Sequence, residues 1–178
     1  MASVFTIGHS TRDLAGFSRV LQAHEVRLLV DVRAFPASRR LPHFNREHLE
    51  LWLPEIGLDY AWEKDLGGKR KQQMPPEKSP NIALRGEAFR NYADYMLTEQ
   101  FQKSVDRLVA LAEQRRTAIM CAEQLYSRCH RMLISDYLLG RGHTVLHIVD
   151  ETPPAEHTLS QDARTVDGQL VYRGDLLL

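Results

Sequence analysis

Apolar residues fall into short runs separated by amphipathic stretches, so two hydrophobic periods alternate along the chain. Ser3 to Ile7 is an apolar, β-branched run closed by Gly8-His9-Ser10, which predicts a strand. From about Arg12 to His24, Leu14, Phe17, Val20 and Leu21 recur at helical spacing behind Thr11, the expected cap. Arg27 to Arg33 is the plainest strand, since Leu28-Leu29-Val30-Asp31-Val32 is almost continuously apolar. Such a run fits a parallel strand buried on both faces. Ala34 to His43 contains prolines that exclude a regular helix. Asn45 then caps a helix to about Glu55 that buries Leu49 and Trp52 or Leu53, and Leu58 to Trp62 follows as an edge strand. Lys64 to Arg85 holds two adjacent glycines, three prolines and little periodicity. Loops of that length in compact domains are lids, binding loops or disordered segments. Helices at about Gly86–Leu97 and Glu99–Gln114 precede a strand at Thr117–Met120. A helix opened by Cys129-His130-Arg131 and ending near Gly140 leads to a strand at Thr144–Val149. Asp167-Gly168 between short apolar runs favours a small hairpin at about 163–172.

Strand, helix, strand, irregular insert, helices, strand, helix, strand predicts an α/β sandwich with a mainly parallel sheet and right-handed connections. At 178 residues the chain suits one domain, 1–178, with a full core. Its 43% hydrophobic and 26% charged content excludes wholesale disorder. The formal charge is zero, which gives no global case for a polyanion partner. Distribution changes that picture. Arg33 to Arg46 carries four arginines and no acid, and Lys64 to Arg85 carries six basic residues against Asp65 and Glu77. One basic side on a neutral protein points to an anionic ligand, although solvated loop charge is the commoner meaning. Two cysteines make no disulfide framework, and the amino end lacks a basic leader and enters a strand directly. No run approaches membrane-spanning length, so the expectation is a cytoplasmic protein with free thiols.

Ligands of open α/β sheets bind beyond the carboxyl ends of the strands. If the strands are parallel, Gly8-His9-Ser10, Asp31-Val32-Arg33 and Cys121-Ala122-Glu123 end on one edge, beside Cys129-His130-Arg131. Cys121 is a candidate nucleophile, because cationic neighbours and a helix start favour the reactive thiolate. The plainer reading is a small buried hydrophobe. Cys129 lies closer to the helix start, where the dipole acts, and equally serves as a cap or packing residue. His9 and His130 titrate in the range useful for proton transfer, and Ser10 stands beside His9 at the same turn. Asp31, in an apolar strand, needs a buried partner, which Arg33 or Arg131 could supply. Arg33, Arg131 and Arg39 could instead clamp a phosphate or carboxylate. Cys121, Cys129 and His130 offer a zinc or iron site completed by Glu123 or water, but their spacing is not that of a zinc finger. Gly67-Gly68-Lys69-Arg70-Lys71 lacks the full phosphate-loop motif, and Gly8 stands alone where a dinucleotide fingerprint needs three glycines.

Thr6-Ile-Gly-His-Ser-Thr-Arg12, Leu29-Val-Asp-Val-Arg-Ala-Phe-Pro-Ala-Ser38, Asp65-Leu-Gly-Gly68, Met120-Cys-Ala-Glu123 and Cys129-His-Arg131 together resemble the proteins of the domain-of-unknown-function 488 family. The resemblance runs in order through nearly the whole chain. It departs at Asp65, where the family pattern carries tyrosine, and in the less acidic connection Gln124–Arg128. It implies a small Rossmann-like three-layer sandwich and one pocket gathering His9, Asp31, Arg33, Cys121, Glu123, Cys129, His130 and Arg131. It implies no activity.

The expectation from these residues is a hydrolase or group transferase acting on an anionic small molecule. The substrate class is a nucleotide, a modified nucleobase, or such a base within nucleic acid. Cys121 attacks or ligates, His9 or His130 moves protons, Glu123 assists, and Arg33 and Arg131 hold the anion. No cofactor is predicted. Two alternatives stand beside it: a nucleotide or nucleic-acid binding module without chemistry, and a metal enzyme using Cys121, Cys129 and His130.

Overall fold

The computed structural model describes residues 1–174. Among them a six-stranded sheet has β1 (Ser3–Gly8), β2 (Leu28–Asp31), β3 (Asp59–Trp62), β4 (Thr117–Cys121), β5 (Thr144–Ile148) and β6 (Ala155–Glu156) in the order β3-β2-β4-β1-β5-β6. The first five are parallel and β6 closes one edge antiparallel to β5. β3 lies at the other edge, as its half-exposed pattern implies.

Alternation along each strand sorts side chains to two faces. Phe5, Ile7, Leu29, Ala118 and Met120 pack with Phe17 and Leu21 of α1 (Leu14–Ala23) and Leu49 and Leu53 of α2 (Arg46–Glu55). Val4, Val30, Ile119, Cys121 and Val145 pack on the opposite face. Their partners there are Tyr92 of α3 (Glu87–Tyr95), Phe101 of α4 (Glu99–Gln114) and Leu133 of α5 (Arg131–Gly140). The protein is thus a three-layer α/β sandwich. The chain winds away from β1 over one face, through α1, β2, α2 and β3. It winds back over the other face, through α3, α4, β4, α5 and β5. The direction of winding reverses between β1 and β4, where the helices that follow the two strands lie on opposite faces. That reversal opens a crevice at their carboxyl ends.

Local signals set several boundaries differently from expectation. Asp13, not Thr11, caps α1: its Oδ1 accepts from the Gly16 N–H at 2.7 Å. Asn45 holds the cap position of α2, but its Oδ1 accepts from the Ser38 N–H at 2.6 Å, bracing the proline-containing segment instead of the helix. The hairpin forms as β7 (Ala163–Val166) and β8 (Gln169–Tyr172), with Asp167 and Gly168 both at positive φ, as a tight primed turn demands.

Lys64 to Arg85 forms no long helix or strand, yet it is pinned to the core. Tyr92 and Tyr95 donate their hydroxyls to the Leu66 and Asp65 carbonyls at 2.8 and 2.7 Å. Asp94 accepts from Ser79 Oγ and Asn81 Nδ2 at 2.6 and 2.7 Å. Arg70 lies over the Tyr95 ring at 3.9 Å. These bonds explain how a long segment with little periodicity holds one path: α3 supplies the partners that its own backbone lacks. Asp65, where the family pattern has tyrosine, accepts from Gln100 Nε2 at 2.8 Å on the surface of α4.

Candidate functional site

A cleft of about 890 Å³ opens at the β1/β4 reversal, of a size that holds a small ligand. His9, Ser10, Arg33, Cys121, Glu123, Cys129 and His130 all line it. Two predicted residues lie elsewhere in its surroundings. Asp31 is fully buried behind Arg33, and Arg131 is 1% exposed beneath the two thiols. Arg39 borders a separate shallow recess, while Arg40 and Lys69 supply the exposed positive charge at the rim of the main cleft. The expected clamp of Arg33, Arg39 and Arg131 is therefore not assembled.

The strand alternation puts different chemistry on the two faces at this edge. On the α1/α2 side, Asp31 closes β2 in apolar surroundings and takes the Arg33 guanidinium as its partner. Nε donates to Oδ1 at 2.9 Å and Nη2 to Oδ2 at 2.6 Å, and Tyr60 OH donates to Oδ2 at 2.6 Å. Arg33 Nη2 also reaches the Phe44 carbonyl at 2.7 Å, so only Nη1 is left toward the cleft, 3.4 Å from His9 Nε2. His9 stacks on Phe44 with ring centroids 4.3 Å apart and donates Nδ1–H to the Ser10 carbonyl at 2.8 Å. Burial holds its pKa down to about 4, with the neighbouring Arg33 acting in the same direction. His9 is therefore neutral at pH 7, with its unprotonated Nε2 toward Arg33 Nη1 and the cleft.

On the α5 side the two cysteine sulfurs lie 3.3 Å apart without a bond between them. Arg131 Nε donates to Cys121 at 3.0 Å and to Cys129 at 3.3 Å, and the Arg131 backbone N–H, at the start of α5, donates to Cys129 at 3.4 Å. The contact within the pair, with burial, pushes the Cys121 thiol well up. The same contact holds the Cys129 thiol well below its ordinary value, aided by His130 and Arg131 against the opposing effect of burial. Cys129, which accepts from the Arg131 N–H at the start of α5, is thus the sulfur whose anionic form its surroundings favour.

Two glycines make this packing feasible. A Cβ on Gly8 would lie 2.6 Å from the Glu123 carbonyl carbon and 2.8 Å from Gln124 Cα, so the connection after β4 crosses β1 only because residue 8 has no side chain. His9 and Ser10 donate their N–H groups to the Cys121 and Ala122 carbonyls at 2.9 and 3.1 Å, extending the β1–β4 pairing into the loops. Ser10 reaches this position with φ of 50°, in the left-handed region. A Cβ on Gly68 would lie 2.8 and 2.9 Å from His130 Cγ and Cε1. The basic loop therefore presses its backbone on the His130 ring, whose Nε2–H donates to the Val32 carbonyl at 2.7 Å.

Behind the thiols runs a polar chain that sequence reasoning missed. Arg131 Nη1 donates to Thr6 Oγ1 at 3.3 Å, and Thr6 donates to His147 Nδ1 at 2.7 Å. His147 Nε2–H meets His157 Nδ1 at 2.9 Å, and His157 Nε2–H meets Asp136 Oδ1 at 2.9 Å. Asp136 is closed off by Ser160 and Tyr172 hydroxyls at 2.6 and 2.8 Å on Oδ2. One tautomer at each histidine satisfies every bond, so the Arg131 guanidinium and Asp136 are joined through Thr6, His147 and His157. Burial pushes the His147 pKa down to about 3. Tyr126, three residues before Cys129 in the same turn, stacks flat on His147 at 3.4 Å, so the chain also braces the segment that carries Cys129. The available signal was polar residues in core positions: His147 in an apolar strand and Asp136 in an apolar helix.

A zinc or iron site does not fit these residues. Among the described residues no group of three or more His, Cys, Asp or Glu side chains is arranged to hold a metal ion. His130 turns Nε2 to a backbone carbonyl and packs its other edge on Gly68.

The family model described as domain of unknown function DUF488 matches residues 13–138. The chain belongs to the DUF488 family. The match contains Asp31, Arg33, Gly68, both thiols, His130, Arg131 and Asp136, and it excludes His9, Ser10, His147 and His157. No curated protein and no solved structure matches the chain. Membership in the DUF488 family fixes no reaction, so chemistry rests on the site itself. No described helix is long and apolar enough to cross a membrane.

Proposed function

We propose that this cleft is the active site of a thiol-dependent hydrolase or group transferase acting on an anionic small molecule of nucleotide-like or nucleic-acid-derived kind. The observation that carries the reading is the pair of sulfurs 3.3 Å apart over the Arg131 Nε, on the floor of a cleft rimmed by Arg40 and Lys69. Cys129, not Cys121, is the nucleophile, because it is the less buried of the two and accepts from the backbone N–H that opens α5. In the first step the Cys129 thiolate bonds to the electrophilic centre and the leaving group departs with its electron pair. His9 Nε2 then takes a proton from water or an acceptor hydroxyl as that oxygen attacks, and the Cys129 thiolate is released. Arg40 and Lys69 attract the anion; Arg33, held by Asp31, offers Nη1 alone. Glu123, exposed at the mouth, faces the same space.

The test is alkylation and turnover together. Iodoacetamide should modify Cys129 ahead of Cys121, at a rate that stays high below pH 8, and a panel of nucleotide esters and modified nucleosides should be turned over by wild type and not by Cys129→Ser. Selective labelling of Cys121, or full turnover by Cys129→Ser, would refute the assignment. A binding module without chemistry is the second reading, favoured by exposed Phe35 under Lys69 at 5.6 Å, a surface suited to a base. Binding of single-stranded oligonucleotides that weakens steeply with salt, with no turnover, would select it.

A further inference from the structure

The hydrolase or transferase chemistry needs one sulfur. The structure supplies two, fixed on rigid elements: Cys121 ends β4 and Cys129 sits just before α5. Their sulfurs are already 3.3 Å apart, little more than 1 Å beyond the disulfide bond length of about 2.05 Å. Both face the cleft, and Arg131 donates to both at once, so it can follow negative charge from one sulfur to the other. A thiol that served only packing would not need a buried guanidinium aimed at it.

We propose that the cleft also reduces hydroperoxides, with Cys129 as the attacking thiol and Cys121 as the thiol that resolves it into an intramolecular disulfide. This rests on the reading of Cys129 as the cleft's nucleophile, but not on hydrolysis or transfer. In the first step the Cys129 sulfur attacks the terminal oxygen of ROOH. An S–O bond forms and the O–O bond breaks; sulfur is oxidised, and RO⁻ leaves beside the cationic rim and takes a proton from water. In the second, Cys121 gives its proton to the departing hydroxide and bonds to the Cys129 sulfur, releasing water. A dithiol reductant from outside the protein then restores both thiols by two exchanges. The sum is hydroperoxide plus dithiol giving alcohol, water and disulfide.

Cys121 suits the second role because it is the more deeply buried of the pair, only 4% exposed. Burial shields it from the peroxide itself, while its contact with Cys129 lets it intercept a sulfenic acid before a second peroxide arrives. The connection Ala122–Arg128 holds one 3-10 turn, Tyr126–Arg128, and no strand or α-helix separates the two sulfurs.

The experiment treats the reduced protein with one equivalent of hydrogen peroxide and follows intact mass, thiol titration and peptide mapping, alongside iodoacetamide labelling of the untreated sample. Wild type should lose two hydrogens, show a Cys121–Cys129 peptide and recover with dithiothreitol. Cys121→Ser should stop at a sulfenic acid that dimedone traps, and Cys129→Ser should stay unoxidised. Between pH 6 and 8 the oxidation rate should stay nearly level, whereas free cysteine loses about tenfold per pH unit below its pKa. Oxidation of wild-type Cys129 to sulfinic acid, a disulfide between two molecules, or a rate no faster than free cysteine would overturn the proposal. If labelling shows Cys129 reactive while the peroxide arm fails, only this inference falls. If Cys129 is unreactive in both, the nucleophile reading falls with it. Wild type alone decides these outcomes should a variant fail to fold.

Discussion

Gly68→Ala tests whether the basic loop and the thiol site are one packed unit. The new methyl would lie 2.8 and 2.9 Å from His130 Cγ and Cε1, and closer still to Nδ1, where ordinary contact begins at 3.4 Å. Loop or ring must retreat by about 0.5–1 Å, the overpacking that costs about 1–3 kcal/mol in well-filled sites. The ring has little freedom, because its Nε2 is tied to Val32 O at 2.7 Å and Tyr92 packs beside it at 5.2 Å between ring centroids. A shift of that size carries the hydrogen bond to its useful limit and loses about another 1 kcal/mol. The expected destabilisation is about 2–4 kcal/mol. It should come with slower Cys129 alkylation at pH 6, since His130 helps hold that thiol down. Urea unfolding measures the first effect, and the alkylation rate against pH measures the second. Unchanged stability within about 0.5 kcal/mol, together with an unchanged pH profile, would show that the loop yields freely and that the contact means nothing.

Asp31→Asn should cost about 3–5 kcal/mol in urea unfolding, because it leaves Arg33 buried without its counter-charge; a loss below about 1 kcal/mol would mean that Arg33 escapes to solvent. Stability should fall as pH is lowered from about 6.5 toward 4, because the unfolded chain takes up protons at His9 that the buried ring refuses. His147, held lower still, adds to the same slope, so His9→Gln should reduce the slope over that interval without removing it, and an unchanged slope would refute the His9 assignment. Asp136→Asn should cost more than about 2 kcal/mol, since it weakens the acceptor for His157, Ser160 and Tyr172 together. It should also slow Cys129 alkylation at pH 6, an effect that reaches the sulfur through Arg131; an unchanged rate would reduce the chain to a structural role. Gly168→Ala should cost about 1 kcal/mol by its positive φ, with no effect on the thiols.

The α/β class, nearly every element, and the run of reactive residues at strand ends could be read from the order of residues alone. Periodicity is a local property: Leu28–Val32 is apolar whatever it packs against, and Asp167-Gly168 prefers a primed turn wherever it occurs. Parallel pairing then made a shared edge for His9, Arg33 and the thiols a consequence of strand direction. Local pattern could not say which residues face one another across that edge. Asp13 displaced Thr11 as a cap because side-chain geometry, one residue at a time, decides which oxygen meets the helix amides. Arg39 and Arg40 are equivalent in sequence, and only the path of the proline segment turned Arg40 into the cleft.

The sequence by itself determined the inventory and the layering, because burial of apolar faces allows few arrangements of these elements. Only tertiary structure decided the chemistry of each group. Strand order brought Gly8 against the Glu123 backbone and placed Thr6 and His147 side by side, joining residues more than a hundred positions apart. Arg131 became the partner of sulfur instead of carboxylate through the same long-range packing. A charge or proton responds to what lies within a few ångströms, and those neighbours are chosen by the fold and not by the chain's order.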